Sequence, residues 1–223
     1  MDILVEFSPV LVKGTWTTII LTLGGSAVAL TMAFITGLTR LSRRLYLRAV
    51  ATIYLEIFRG TSALVQLFWI FFVLPFLGVT LEPMTAGIMA IGLNMGSYGS
   101  EVVRGAVLSV DRGQREACAA LNYTRFQTMR YVILPQAIPV MLPTFGNQGI
   151  ELLKLTSVVS LITISDLTFS AQLVRTASGL TLEPFMAILI IYFILSSCIV
   201  QFVKLLEKRM AKGRGLPAGK GAV

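Results

Sequence analysis

Two apolar stretches of this chain are interrupted by polar residues at helical spacing. Asn94, Ser97, Tyr98 and Glu101 stand at i, i+3, i+4 and i+7, and Asn147, Glu151, Lys154 and Ser157 keep a similar interval further on. In an α-helix such intervals gather side chains on one face. The chemistry these faces offer is binding rather than bond-making. A zwitterionic solute needs donors for its carboxylate and an acceptor for its cationic end, and Lys154 and Glu151 supply both signs within a turn. Bond-making has little to work with. The sequence has no His and only Cys118 and Cys198, so neither a metal nor a haem site is expected, and no nucleophile has a base beside it.

A structural account of the same residues competes. Glu56/Arg59, Glu101/Arg104 and Glu151/Lys154 are acid-then-base pairs at i, i+3, where helix side chains meet. Each pair could neutralise itself to ease burial or to anchor a helix end. That role is favoured for the first two pairs, while Glu151/Lys154 stays open between the two accounts. Asn94, Tyr98 and Asn147 lean towards a solute pathway, with interhelical hydrogen bonding as the competitor. Gly and Pro recur in both stretches (Gly92, Gly96, Gly99; Pro139, Pro143, Gly146, Gly149). They permit close helix contact and a broken backbone where it lines a cavity.

The elements that must carry these residues are membrane helices. The chain is 55% hydrophobic and 13% charged over 223 residues, which excludes an ordinary soluble domain. Uncharged stretches lie at 14–39, 60–81, 83–100, 131–150 and 184–203. A span takes about 20 apolar residues, so an all-α polytopic protein with five transmembrane helices is expected. No period-2 alternation supports a barrel. Of the 19 Lys and Arg, all but Lys13, Arg59, Lys154 and Arg175 follow the first, third or fifth stretch. The positive-inside rule then places the N-terminus outside and the C-terminus in the cytoplasm. The net charge of +8 is thereby a topology signal, and no nucleic-acid partner is needed to explain it. Asp2 and Glu6 precede the first apolar stretch without a basic n-region, so a cleaved signal peptide is not expected. Phe71, Phe72, Phe76, Trp16 and Trp69 read as packing, lipid-facing or interfacial-belt residues. Residues 1–212 are taken as one membrane domain and 213–223 as a disordered cytoplasmic tail.

Between the third and fourth stretches lies a polar loop, residues 105–135, whose run from Gly113 to Pro135 carries helix signals. Asp111 and Gln114 have capping-box spacing, and the Ala-rich run from Arg115 to Leu121 favours helix. Asn122, tolerant of the left-handed conformation, ends it. Thr124 and Gln127 repeat the capping box for a second short helix, with Phe126, Met129 and Ile133 on one face, until Pro135 closes or kinks it. Ala117, Cys118 and Ala120 form a small-residue surface on which another backbone could seat. The bland alternative is a well-capped solvated connector.

Glu116-Ala117-Cys118-Ala119-Ala120, Asn122 and Ile133-Leu134-Pro135 resemble the EAA loop of ABC-importer permeases. Cys118 stands where the second Ala is usual and Asn122 where Gly is usual. The resemblance implies a type I permease fold, with coupling helices between the third and fourth spans. It also implies a docking role for Gln114, Glu116, Ala117, Ala120, Leu121 and Asn122 on an ATPase subunit. Nearly the whole chain is similar to the polar amino-acid permease branch, through Tyr54 to Thr61, Ser97 to Gly105, Gly113-Gln114, Leu134 to Ala137 and Gly146-Asn147. Ser62 replaces the usual Pro, and Leu155 the Asp of Lys-Asp-Thr. The Ser62 variant with Leu152 to Phe169 most resembles permeases assigned to ectoine and hydroxyectoine uptake.

The implied partners are a pair of ABC ATPase subunits that bind ATP and Mg, a second permease (identical or similar), an extracytoplasmic solute-binding protein and the lipid bilayer. No P-loop occurs in this chain, so it is not expected to be an enzyme and holds no cofactor itself. The alternative is an ion-coupled secondary transporter or channel for small polar solutes, which predicts inverted repeats that are not visible.

Overall fold

The computed structural model describes residues 7–212, and among these every regular element is helical. In chain order the α-helices are α1 (Ser8–Thr39), α2 (Leu45–Gly60), α3 (Ala63–Phe68), α4 (Pro83–Ser109), α5 (Arg112–Ala120), α6 (Arg125–Gln127), α7 (Leu134–Leu155), α8 (Leu167–Ser178) and α9 (Leu182–Lys212). The tail expected to be disordered lies outside the described residues. So do Asp2 and Glu6.

α1 and α4 form the spine, and glycine brings them together. A Cβ on Gly92 would stand 2.6 Å from Val28 Cβ, one on Gly96 2.7 Å from Met32 Cβ, and one on Gly99 2.8 Å from Ala33 Cβ. Gly37 returns the contact, its missing Cβ lying 2.7 Å from the Ser100 carbonyl oxygen. The sequence expectation of close approach at Gly92, Gly96 and Gly99 is met here. Gly92→Ala is expected to cost about 1–3 kcal/mol, because its neighbour is a β-branched side chain at its root and cannot swing away. A lowered thermal midpoint of the detergent-solubilised protein would register it.

Apolar packing fixes the depth of the remaining elements. Leu21, Ile91, Leu152 and Ile162 share one cluster; Ala33, Val103, Val107 and Met141 share another towards the end of α4. Leu11, Leu167, Ala171 and Ile188 tie α8 between α1 and α9. Asp166 caps α8 by accepting from Thr168 N and Phe169 N at 3.1 and 2.9 Å. Trp16, Trp69, Phe72 and Phe76 are exposed, whereas Phe71 packs on the first cluster.

The expected straight spans need correction. α1 and α9 are each long and apolar enough to cross a membrane. The second stretch, 60–81, holds a shorter helical run, Ala63–Leu77, and α2, which was not expected as a separate helix, ends at Gly60 and meets that run at 106°. That run, at about 1.5 Å per residue, falls short of a hydrocarbon core about 30 Å thick. Thr61 is extended at the break (φ −120°, ψ 154°), and Gly78 in the left-handed region (φ 84°) ends the segment beyond Pro75. The fourth stretch is longer than 131–150. It runs from Arg125 to Ile162 through a π turn at Thr128–Ile133 and a 3-10 turn at Thr156–Ile162, then bends 53° into α8. Pro135 therefore does not close a short helix. The wider π turn before it accommodates a ring that would clash with the carbonyl four residues back.

Candidate functional site

The loop expected at 105–135 is shorter, since α4 continues to Ser109. Asp111 caps α5, but its Oδ1 accepts from Gly113 N at 3.0 Å, and Gln114 does not complete a capping box. Gln114 Oε1 instead accepts from Gln136 Nε2 at 3.4 Å, on α7. Asn122 does adopt the left-handed conformation (φ 59°). The Thr124–Gln127 box forms in both directions, with Gln127 N donating to Thr124 Oγ1 at 3.3 Å and Thr124 N to Gln127 Oε1 at 2.8 Å. It starts the long helical run into α7 rather than a separate short helix. Of the face drawn through Phe126, Met129 and Ile133, only Ile133 is buried and Met129 partly so; Phe126 is exposed.

Gln114, Glu116, Ala117, Ala120, Leu121 and Asn122 are all exposed on α5 and its end. Cys118 is not part of that surface. It turns inward, 4% exposed, and the small-residue patch is completed by Ala119.

The polar face of α4 divides in two. Asn94 and Ser97 are buried. Asn94 Nδ2 donates to the Phe58 carbonyl and to Gln66 Oε1, each at 3.1 Å. Gln66 Nε2 donates to the same carbonyl at 2.9 Å and to Thr61 Oγ1 at 2.6 Å. Phe58 sits in the last turn of α2, whose carbonyls lack intrahelical donors, so the two amides together close the break. Tyr54 adds a hydroxyl bond to the Leu93 carbonyl at 2.6 Å. Ser97 donates back to the Asn94 carbonyl at 2.6 Å. Asn94 therefore serves the helix break, while Ser97 bonds within its own helix. Asn94→Leu should destabilise the chain by about 1–3 kcal/mol, since it leaves Gln66 Oε1 buried without that donor. Thermal unfolding of the purified permease checks this.

The three acid–base pairs behave differently from one another. Glu101 does bind Arg104 (3.0 Å), but it also binds Arg40 at the end of α1 (2.5 Å), which locks α1 to α4. Glu56 and Arg59 do not pair; the Arg59 guanidinium lies over the Tyr98 ring, 5.6 Å from its centroid. Glu151 and Lys154 are both exposed, and no ion pair joins them among the described residues. Asn147 is exposed and Ser157 half-buried, its hydroxyl donating to the Lys154 carbonyl at 2.9 Å.

Depth sharpens the picture. Leu152, between Glu151 and Lys154, packs where a Gly25 Cβ would be, 3.4 Å away, and in the same cluster as Ile91. Gly25 is close to the middle of the apolar stretch 14–39. Glu151 and Lys154 thus lie level with the middle of α1, not with its end. An apolar cavity of about 300 Å³ opens nearby between α1, α4, α7 and α9, walled by Phe34, Met95, Phe145, Leu152 and Leu206 among others. None of the expected pathway residues lines it, and its walls suit hydrocarbon better than a zwitterion.

Sequence reading missed Gln66, Arg40 and Arg115. Gln66 is a lone polar residue in an apolar run, which is a signal; Arg40 and Arg115 sit among other basic residues and carry none.

Comparison with known proteins agrees with this architecture. Residues 25–212 match the family described as binding-protein-dependent transport system inner membrane component. The chain is 42% identical over 209 residues to a probable amino-acid ABC transporter permease of Sinorhizobium fredii, covering 91% of this chain and 88% of that one. It is 36% identical over 204 residues to the glutamine transport system permease of Escherichia coli, covering 91% and 93%. The fold superposes on the crystal structure of an amino acid ABC transporter with histidines (TM-score 0.85, 34% identity, 92% of this chain and 96% of that one). Such membership implies an ATPase and a binding protein as partners, and a place in the inner membrane. The chain belongs to the binding-protein-dependent transport system inner membrane components, as a permease subunit of the amino-acid ABC importers.

Proposed function

We propose that this chain forms half of the membrane pore of an importer for polar amino acids or closely related zwitterions. A second permease, identical or similar, completes it. Two ATPase subunits bind ATP and Mg below it, and a binding protein delivers solute from outside. The N-terminus lies outside and the C-terminus in the cytoplasm, as the distribution of Lys and Arg favours. The observation that carries the reading is α5. It is capped, ended by a left-handed Asn122, and presents Gln114, Glu116, Ala117, Ala120 and Leu121 outward while Cys118 anchors it underneath.

Asn147, Glu151 and Lys154 support the pore. Charged groups at mid-depth on an uncovered face are costly against lipid and belong against a partner or water. Tyr98, Glu101 and Ser157 flank that route. On substrate, the relatives named above are amino-acid or glutamine permeases, which favours an amino acid over ectoine. Two measurements test the reading. Proteoliposomes holding the chain, its ATPase and its binding protein should hydrolyse ATP faster when solute is present, and uptake by the chain alone under an ion gradient would overturn the proposal. A panel of radiolabelled polar amino acids and ectoines, bound to the partner binding protein, assigns the solute.

A further inference from the structure

α5 carries the exposed docking face but is tied to the membrane helices at few points. Val110 and Asp111 separate it from α4. Its underside is made by Arg115 and Cys118, three residues apart, the first half-buried and the second buried. Arg115 Nη2 donates to the Val107 carbonyl at 2.9 Å. Val107 lies in the last turn of α4, where carbonyls lack intrahelical donors and a cation meets the negative end of the helix dipole. The Nε–H of the same side chain is buried without an acceptor. An apolar side chain of similar length would fill this space without stranding a donor. Packing alone does not account for an arginine here.

From Val107, α4 leads without interruption to the other contacts that hold the bundle. Glu101 binds both Arg104 and Arg40, at the end of α1, Tyr98 lies under Arg59, and Asn94 closes the break between α2 and α3. Because α4 is one continuous helix sunk into α1 through glycines, a pull on its end moves it as a unit.

We propose that Arg115 is a positioning residue of the transport stroke. Its bond to the Val107 carbonyl makes α5 and α4 move together, so motion of the ATPase reaches the helix break at Thr61. The inference rests on the importer reading above. The Gln136–Gln114 contact is the longer, weaker tie to α7.

The test compares wild type, Arg115→Met and Arg115→Lys, each reconstituted with ATPase and binding protein, with uptake and ATP hydrolysis measured on the same vesicles. Methionine keeps much of the volume and loses the donor. Lysine keeps a cation able to reach a carbonyl. The expected result is that ATPase co-purifies with all three, while solute imported per ATP hydrolysed falls about fivefold or more in Arg115→Met and recovers in part in Arg115→Lys. An unchanged ratio in Arg115→Met overturns the proposal. Loss of bound ATPase from both variants also overturns it, since Arg115 then belongs to the docking surface or the fold. If the wild-type complex shows no solute-stimulated hydrolysis, the importer reading falls and takes this inference with it, and that result is visible before any variant is compared.

Discussion

Glu116→Lys is expected to abolish solute-stimulated ATP hydrolysis by the reconstituted importer while the permease itself stays folded. Glu116 is exposed on α5 and makes no hydrogen bond or ion pair with any described residue, so its replacement removes nothing from the fold. Lysine is also a good helix former, and α5 keeps its Asp111 cap and its Asn122 stop. What changes is the charge offered to the ATPase. Like-charge juxtaposition at an interface costs several kcal/mol, and each 1.4 kcal/mol is about tenfold in affinity, so docking weakens by about a hundredfold or more. Glu116→Gln should be far milder, because it keeps shape and an acceptor. The measurement is co-purification of the ATPase together with hydrolysis at saturating solute. Full stimulation in Glu116→Lys would remove α5 from the docking role.

How much of this was legible beforehand depended on whether a signal was local. Asn122 and the Thr124–Gln127 box were readable because each rests on the geometry of a few consecutive residues. The glycines at 92, 96 and 99 were readable because only close packing explains them in a buried apolar helix. The break at Thr61 was not. It falls at the very start of the uncharged run 60–81, and no proline marks it; Ser62 stands where the resembling permeases usually have one. The partners of Asn94 were silent for a related reason. A polar face predicts that something polar lies opposite, and for Asn94 the open end of α2 is there. Gln114 has the spacing of a capping partner, but Gln136 of α7 competes for its side chain, a contact that no local rule foresees. Long-range ion pairs were equally silent: Arg40 and Glu101 are 61 residues apart.

Lys154→Met should cut solute uptake by about tenfold to a hundredfold, the loss of one charge-assisted hydrogen bond of about 1.5–3 kcal/mol in the transport step. Lys154 is exposed on α7. Its ammonium has no ion pair among the described residues, although Glu151 stands within one turn of it on the same helix. A pair built only to ease burial would close on itself, as Glu101 and Arg104 do. Near mid-depth an open cation and an open carboxylate are held apart at a cost that water or a zwitterion would relieve. Lys154→Met removes no hydrogen bond or ion pair among the described residues, so the thermal midpoint and bound ATPase should match wild type, in contrast to Asn94→Leu, which strikes the helix break and is expected to lower the midpoint. Because the binding protein is a separate chain, its affinity for solute stays unchanged, and the loss must arise within the membrane. Unchanged uptake in both Lys154→Met and Glu151→Gln would move selectivity entirely to the binding protein. A fall in thermal midpoint matching the fall in uptake would instead assign Lys154 to the fold or to the contact with the second permease.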